Sequence, residues 1–213
     1  MKQAIPVILV LCLAALPGCK IIHESEKTEV VSVGPEGDDA RNQARLEETF
    51  DSRLLSLITT GPLDVAGLRA ALASDGLEAA GSAHGNQGSG RGAAWNFPVQ
   101  GDGIIVAAKL DTSARTVSVD VDEDGVGDVT VQLGPVIRGT ALRDVAPFYN
   151  FDDFRDQIEF AKLARAINDR IKPLLKVPDG DLVGMTMSFV GVTPLKSPQE
   201  TMVVTPVEMS FAK

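Results

Sequence analysis

The sequence predicts an α+β domain, because segments with strand-like and helix-like periodicity follow one another along its second half. Apolar and polar residues alternate in the strand-like segments, while one stretch repeats its apolar residues every three or four positions. The order is three strands, a helix over residues 151–172, and two strands. That is the order of an OB-fold, a five-stranded, partly open barrel. We therefore predict an OB-fold-like five-stranded barrel over residues 95–213, with the long helix between strands 3 and 4.

The N-terminus has the composition of a secretory signal. Lys2 gives a positive start, residues 5–16 form an apolar run, and small Gly18 precedes Cys19. A cysteine in this place resembles the lipobox of bacterial lipoproteins, which implies that Cys19 carries acyl chains such as palmitate. A plain signal peptide or an uncleaved anchor is the alternative. We expect a signal peptide over residues 1–18 and a lipidated tether over residues 19–37.

Cysteine content, net charge and the residue after Cys19 limit the partners and the cell compartment that we expect for this protein. Cys12 leaves with the signal and Cys19 carries lipid, so no thiol remains for a disulfide or a metal. The formal net charge of −9 argues against a nucleic-acid partner. Lys20 stands where inner-membrane lipoproteins of the enterobacterial type have aspartate, which favours the periplasmic side of the outer membrane.

Residues 38–94 predict a helical hairpin followed by a glycine-rich loop. Asp38 or Asp39 can cap a first helix that runs to about Ile58. Asp64 can cap a second helix to about Ser74, which the Asp75-Gly76 pair would end. Residues 81–92 read GSAHGNQGSGRG and lack the Gly-Lys-Ser/Thr ending of a phosphate-binding loop. The inward stripe of the first helix is Leu46, Phe50, Leu54 and Leu57.

Each predicted strand and helix of the barrel has its own sequence pattern. Residues 116–133 alternate on both sides of an Asp-Gly turn and predict a hairpin. Asn150 can cap the long helix, and Pro173 prevents its continuation. The last two strands cover residues 181–192 and 202–211, and Pro206 makes the final strand an edge or a bulged one. The predicted inward face of the helix is Phe154, Ile158, Ala161, Ala164, Ile167, Ile171 and Leu174.

The segment GPVIRGTALRDVAPFYNFDDFRDQIEFAKLARAIN, with FPVQGDGIIV before it and GMTMSFVG after it, resembles a family of predicted bacterial periplasmic lipoproteins known only as a domain of unknown function. The resemblance covers most of the mature chain and is specific at GPVIRGTALRD and FDDFRDQIEFA. It implies a lipoprotein that forms a single unit. Genes of the family often lie near sugar ABC transporter genes, which makes transporter components or a small solute candidate partners, but the resemblance leaves the ligand open.

An acidic motif in the predicted hairpin is the first candidate site. Asp120, Asp122, Asp124 and Asp128 surround Gly125 in a pattern similar to calcium loops, where alternating carboxylates converge on a hard cation. Val131 stands where an EF-hand has its glutamate, and no helices flank the motif. The alternative is a hairpin tip whose acidic residues face water. Calcium is the only cofactor that the sequence suggests.

The turn between the third strand and the helix is the second candidate site. Arg138 and Arg143, with Asp144, could bind a carboxylate or a phosphate. The alternative is a structural pair of Arg143 and Asp144 that satisfies groups of the turn. Aromatic residues near the helix start offer either a sugar-stacking platform or a core plug, of which we expect the plug. They are Phe148, Tyr149, Phe151 and Phe154.

No nucleophile, acid–base or metal-ligand spacing in the sequence predicts catalysis. We expect a non-catalytic, membrane-anchored binding or accessory module rather than an enzyme. The alternatives are a periplasmic hydrolase that uses carboxylates and a purely structural envelope lipoprotein.

Overall fold

The structure, a computed structural model, describes residues 31–212. The predicted signal peptide, the lipidation site Cys19 and residues 19–30 of the predicted tether therefore lie outside the described residues. The described chain enters its first helix through a short 3-10 turn, Pro35–Gly37.

The first helical segment contains α1 (Asp38–Thr49), a π-helical stretch (Phe50–Leu55) and α2 (Ser56–Thr59). Its predicted apolar stripe is buried at Leu46, Phe50 and Leu54, each at most 1% exposed. The prediction of the cap was wrong. Gly37 is the N-cap, and Asp38 is instead buried in ion pairs.

The second helical segment follows a short strand, β1 (Leu63–Asp64), and consists of two stretches. The carboxylate of Asp64 caps α3 (Val65–His84) by accepting a hydrogen bond from the amide of Gly67. At the predicted Asp75-Gly76 pair the helical backbone is interrupted, because Gly76 adopts non-helical angles, with φ 77° and ψ 173°, and a second helical stretch then continues to His84. Glycine reaches this left-handed region at little cost. The predicted loop is accordingly shorter, and β2 (Asn86–Gln87) lies within it.

Five strands form a closed barrel. They are β3 (Trp95–Lys109), β4 (Ala114–Asp120), β5 (Val129–Pro135), β6 (Thr186–Leu195) and β7 (Met202–Ala212). Their order is β3-β4-β5-β7-β6, and β6 pairs back with β3. Only the β5–β7 pairing in this ring is parallel. The predicted OB-fold-like barrel is confirmed, and the register shift at Gly191 opposite Pro206 agrees with a bulged last strand.

Two helices connect β5 to β6. After the short α4 (Ala141–Asp144), the long helix α5 begins at Gln157 and ends at Ile171, so its predicted start at Phe151 was wrong. Asn150 caps only a 3-10 turn, whereas Asp156 caps α5 by accepting hydrogen bonds from two backbone amides.

The buried face of α5 differs from the predicted face. Phe160 and Leu163 pack inward beside Ile167 and Ile171, while Ile158 is 62% exposed. At 3.6 residues per turn, Ile158 and Ile167, nine residues apart in α5, lie on opposite faces of the helix, so they could not both face inward.

Two hydrophobic cores hold the described residues together. One joins the first helical segment to α4 and α5, and the other fills the barrel and continues beneath α3. The two N-terminal helices therefore pack on the domain through different cores. The turn between β5 and α4 lies where these two cores meet.

Candidate binding site

A cleft of about 610 Å³ opens where the turn after β5 meets the barrel. Small-molecule sites typically measure about 300–1,000 Å³. Each of the five barrel strands contributes a lining residue, and all three residues predicted to bind a ligand line it as well. We call it the basic cleft, and its polar and rim residues include Asn96, Thr116, Gln132, Arg138, Arg143, Asp144, Pro194, Lys196, Val203 and Thr205.

The buried side-chain amide groups of Gln132 and Asn168 fix the backbone of the turn. The side chain of Gln132 accepts from the amide of Arg138 at 2.8 Å and donates to its carbonyl at 3.1 Å. The same Nε2 donates to the hydroxyl of Thr205 at 2.8 Å. From α5, Nδ2 of Asn168 donates to the carbonyl of Gly139 at 3.0 Å. The turn is thus held in one conformation from both sides, since its backbone groups are bonded within the protein.

Arg138 and Lys196 are the exposed cations of the cleft. Within residues 31–212, neither side chain forms an ion pair or a side-chain hydrogen bond. Their backbone positions are nevertheless fixed, since the amide of Lys196 donates to Glu200 at 2.6 Å and Gln132 holds Arg138. Two cationic groups therefore face solvent from an ordered backbone.

Arg143 and Asp144 form an ion pair. Such a structural pair was the alternative to ligand binding in the interpretation of the sequence. Nε and Nη2 of Arg143 donate to Oδ1 of Asp144 at 2.8 and 2.6 Å. Nη1 donates to the backbone carbonyl of Phe160 at 3.0 Å, and the guanidinium carbon lies 3.5 Å from the centroid of the Phe160 ring. With Arg143 only 8% exposed, the pair joins α4 to α5.

Asp144 also connects the loop before β3 to the cleft. Its Oδ2 accepts from the hydroxyl of Thr140 at 2.6 Å, and its carbonyl accepts from Nδ2 of Asn86 at 2.7 Å. Ser89, from the glycine-rich loop, lines the same cleft. The loop that the sequence separated from the barrel therefore forms part of the candidate site.

A second cleft, of about 520 Å³, lies along β3, β6 and β7. We call it the acidic cleft, and its charged lining residues are Asp64, Asp102 and Glu208. No basic residue of the described chain lines it. The two clefts are similar in size and opposite in charge.

The predicted calcium residues are only partly brought together. Carboxylate oxygens of Asp120, Asp122 and Asp124 lie within 4.8 Å of one another. Asp128 is not in this group, because it accepts from the amide of Val121 at 2.9 Å and pairs with Arg69 at 3.1 Å.

Backbone amides already engage the most buried of these carboxylates. Asp120 is 3% exposed and accepts from the amides of Glu123 and Gly125, both at 2.8 Å. Burial raises its pKa, but these hydrogen bonds outweigh burial and hold the pKa below its usual value. Desolvation and the neighbouring carboxylates raise the pKa of Asp122. Three carboxylates fit a hard cation, and calcium binding stays a prediction.

An ion cluster between α1 and α5 was missed by the sequence analysis. Glu159, 1% exposed, accepts from Arg41 at 2.8 Å and from Arg45 at 3.0 Å. Burial raises its pKa, but these arginines and the amide of Arg155 lower it to about 2. Arg155 also pairs with fully buried Asp38 at 3.0 Å. The cluster fastens the first helix to the domain.

The aromatic residues near the start of α5 belong to the core. Tyr149 and Phe154 are 6% and 8% exposed, and Phe151 and Phe154 pack against the ring of Phe160. The hydroxyl of Tyr149 lies 2.7 Å from that of Thr49. These contacts agree with the expected core plug.

Sequence reasoning missed two residues of the basic cleft, Gln132 and Lys196. Gln132 sat within an alternating strand, where an outward polar residue carries no special signal. Lys196 follows β6, and no spacing relates it to Arg138, 58 residues earlier.

The closed barrel and its connecting helices define an OB-fold protein. The structure is similar to an OB-fold protein from Thermotoga maritima known from a crystal structure, with a TM-score of 0.55 and 18% identity. The similarity covers 84% of this chain and 99% of that chain. At this identity the likeness concerns the fold alone.

The chain belongs to the family described as predicted periplasmic lipoprotein (DUF2291), whose model matches residues 9–210. Among curated proteins, none matches this chain. Family membership supports a lipid-anchored protein of the periplasm. Among residues 31–212, no helix is long and apolar enough to cross a membrane.

Proposed function

We propose that this lipoprotein is a non-catalytic binding or accessory module that presents the basic cleft to a small solute or to transporter components. The observation that carries the proposal is the cleft itself, in which Gln132 and Asn168 fix the turn while Arg138 and Lys196 face solvent. Recognition sites benefit from such order, because a fixed site loses less conformational entropy on binding. Acyl chains on Cys19 would hold the module at the outer membrane.

The chemistry of the basic cleft supports a binding role over a catalytic one. Among the described residues, Asp144 is its only lining carboxylate, and both of its oxygens already accept hydrogen bonds from Arg143 and Thr140. No histidine or cysteine of residues 31–212 lines this cleft. General acid–base catalysis needs a titratable group within hydrogen-bond reach of the substrate, and this part of the lining offers no unoccupied carboxylate, histidine or cysteine.

Site-specific photo-crosslinking in cells tests the accessory role. Val203, on the rim of the basic cleft and 39% exposed, is replaced by a photoreactive amino acid in the full-length lipoprotein. Val183, 50% exposed and outside the cleft, is the matched control. We expect adducts with a permease or periplasmic binding protein at position 203 only. The same adducts at both positions, or none at 203, would count against the accessory role.

The acidic cleft favours a second candidate, a hydrolase that uses carboxylates. Glycosidases need two carboxyl groups on either side of the scissile bond, and Asp64, Asp102 and Glu208 line that cleft. A panel of aryl glycosides tests it with the wild type, Asp102→Asn and Glu208→Gln. Turnover that both substitutions abolish would establish the hydrolase, and no turnover by the wild type would remove it. A purely structural role has less support, because the described residues form open clefts large enough for a small molecule.

A further inference from the structure

We propose that the basic cleft binds a small molecule bearing a phosphate or carboxylate group, and that Arg138 and Lys196 contact its oxyanion. The inference rests on the proposed function, since it names the ligand class of the same cleft. It also reassigns the predicted site: Lys196 joins Arg138, and Arg143 supports the cleft without contacting the ligand.

The distribution of charge is the first argument. Arg138, Arg143 and Lys196 face a single lining carboxylate, Asp144, so the basic cleft has a net charge of +2. The whole chain has a formal net charge of −9. A cleft lined by one sign of charge concentrates counter-ions, because its low-dielectric walls focus the field. We therefore expect this cleft to attract an anion although the chain as a whole is acidic.

The way in which Arg138 is held is the second argument. Gln132, 7% exposed, bonds both backbone groups of Arg138, although the guanidinium itself has no partner within residues 31–212. Arginine forks form strong, charge-assisted hydrogen bonds with carboxylates and phosphates. Gln132 thus acts as a positioning residue, because it fixes the backbone from which the guanidinium reaches into the cleft.

The partners of Arg143 are the third argument. Its Nε and Nη2 donate to Asp144, its Nη1 donates to the carbonyl of Phe160, and its guanidinium carbon lies 3.5 Å from the ring centroid of Phe160. Three of its five N–H donors are therefore engaged, and its charge is already paired with that of Asp144. Arg138 and Lys196 lose no protein partner when they bind an anion, so they are the residues that recognise the oxyanion.

Calorimetric titration of the full-length lipoprotein in a non-ionic detergent tests the inference. The probes are glycerol 3-phosphate, citrate, and glycerol as the uncharged counterpart of the first. The variants are Arg138→Gln, Lys196→Gln and the double variant, with Lys176→Gln as a control that removes an exposed cation outside the cleft. Thermal melts establish that each variant is folded.

We expect at least one of the two anions to bind, and glycerol not to bind. Loss of one charge-assisted hydrogen bond should weaken binding about tenfold for each single variant. The double variant should lose binding almost completely, while Lys176→Gln should match the wild type. Glycerol 3-phosphate and citrate separate phosphate from carboxylate recognition. Displacement of the bound anion by phosphatidylglycerol vesicles, but not by phosphatidylcholine vesicles, would identify a lipid headgroup as its source.

Unchanged affinity in the double variant, or equal binding of glycerol and glycerol 3-phosphate, would overturn the inference. The proposed function can fail separately. If no anion binds but the crosslink at Val203 is still specific, the cleft is a docking site and only the ligand class is wrong. If neither occurs, the proposed function fails as well.

Discussion

Arg138 and Arg143, five residues apart, have opposite relations to the protein around them. Arg143 is buried and its side-chain donors are bonded to Asp144 and Phe160. Arg138 is exposed, and only its backbone is bonded. Substitution of Arg143 should therefore change stability, whereas substitution of Arg138 should change binding.

Single substitutions in the Arg143–Asp144 pair should be strongly destabilising. Arg143→Ala or Asp144→Ala leaves the partner buried without its counter-charge, which costs about 3 kcal/mol. Arg143→Leu with Asp144→Ala should cost less than the sum of the single changes. Denaturant unfolding measures the free energies, and Arg138→Ala, which should change them by less than about 0.5 kcal/mol, is the control. Small additive effects in the pair would contradict a structural role.

The hairpin tip gives a second prediction for single residues. Because amides of the turn bond to Asp120, we expect Asp120→Ala to lower the melting temperature both with calcium and with a chelator. Asp124→Ala, on the exposed side of the tip, should have a smaller effect. A rise in the wild-type melting temperature with calcium, absent in Asp124→Ala, would instead establish the cation site that the sequence suggested.

At the scale of elements, the ion cluster between α1 and α5 should make stability depend on pH. The folded-state pKa of Glu159, about 2, lies below its ordinary value of 4.5. A depressed carboxyl pKa contributes stability above the unfolded-state pKa, and the contribution is lost as pH falls through the folded-state value. The attachment of α1 should therefore weaken between about pH 4.5 and pH 2.

Glu159→Gln isolates this contribution. The variant should lose about 2 kcal/mol of unfolding free energy at neutral pH, because hydrogen bonds between charged groups are replaced by weaker ones. The difference from the wild type should shrink on acidification. Glu47→Gln, which removes a carboxylate 61% exposed in its pair with Arg170, is the matched control and should have little effect. A deficit in Glu159→Gln that does not change with pH would contradict the assignment.

The sequence predicted the elements well where the pattern was local. Alternating valines defined β4 and β5, and the order of strands and helix led to the OB-fold. The start of α5 was misplaced, because Asn150 and Asp156 are both good caps and only packing decides between them. At Gly76 the helical backbone is interrupted as predicted, but the second helical stretch that follows it was not predicted.

The candidate site could be predicted only in part, for a related reason. Arg138, Arg143 and Asp144 are neighbours in the sequence, and the structure brings them to one cleft. Lys196 and Gln132 reach the same cleft through strand pairing, which no local pattern records. Arg143 is assigned to supporting the cleft, and Arg138 to recognising the ligand, partly because Arg143 bonds to Phe160. That contact could not be predicted, since Phe160 lies 17 residues after Arg143.

At the scale of the whole molecule, the length of the tether limits where the clefts can act. Val31, where the described residues begin, is 12 positions after Cys19. A chain extends at most about 3.5 Å per residue, so the proposed acyl chains on Cys19 would keep Val31 within about 40 Å of the anchor. We therefore expect a solute or partner to be met close to the membrane surface.

Substitution of the anchor tests that placement. In Cys19→Ser, we expect the precursor to remain uncut and without fatty-acid label, while the domain folds as in the wild type. Labelling with radioactive palmitate and immunoblotting of fractionated cells measure both outcomes. Cys12→Ser, which lies in the predicted signal peptide, is the control and should still be labelled. Label that persists in Cys19→Ser would refute the assigned lipidation site.

The central claim is that the basic cleft, rather than the acidic cleft, is the surface with which this lipoprotein binds. The most direct measurement is an amide NMR titration of the full-length protein with the dialysable fraction of a periplasmic extract from its host, which needs no knowledge of the ligand. The account predicts shifts that cluster at Gln132, Arg138 and Lys196 and disappear in the Arg138→Gln, Lys196→Gln double variant. Shifts that cluster at Asp102 and Glu208, or that persist in the double variant, would contradict it.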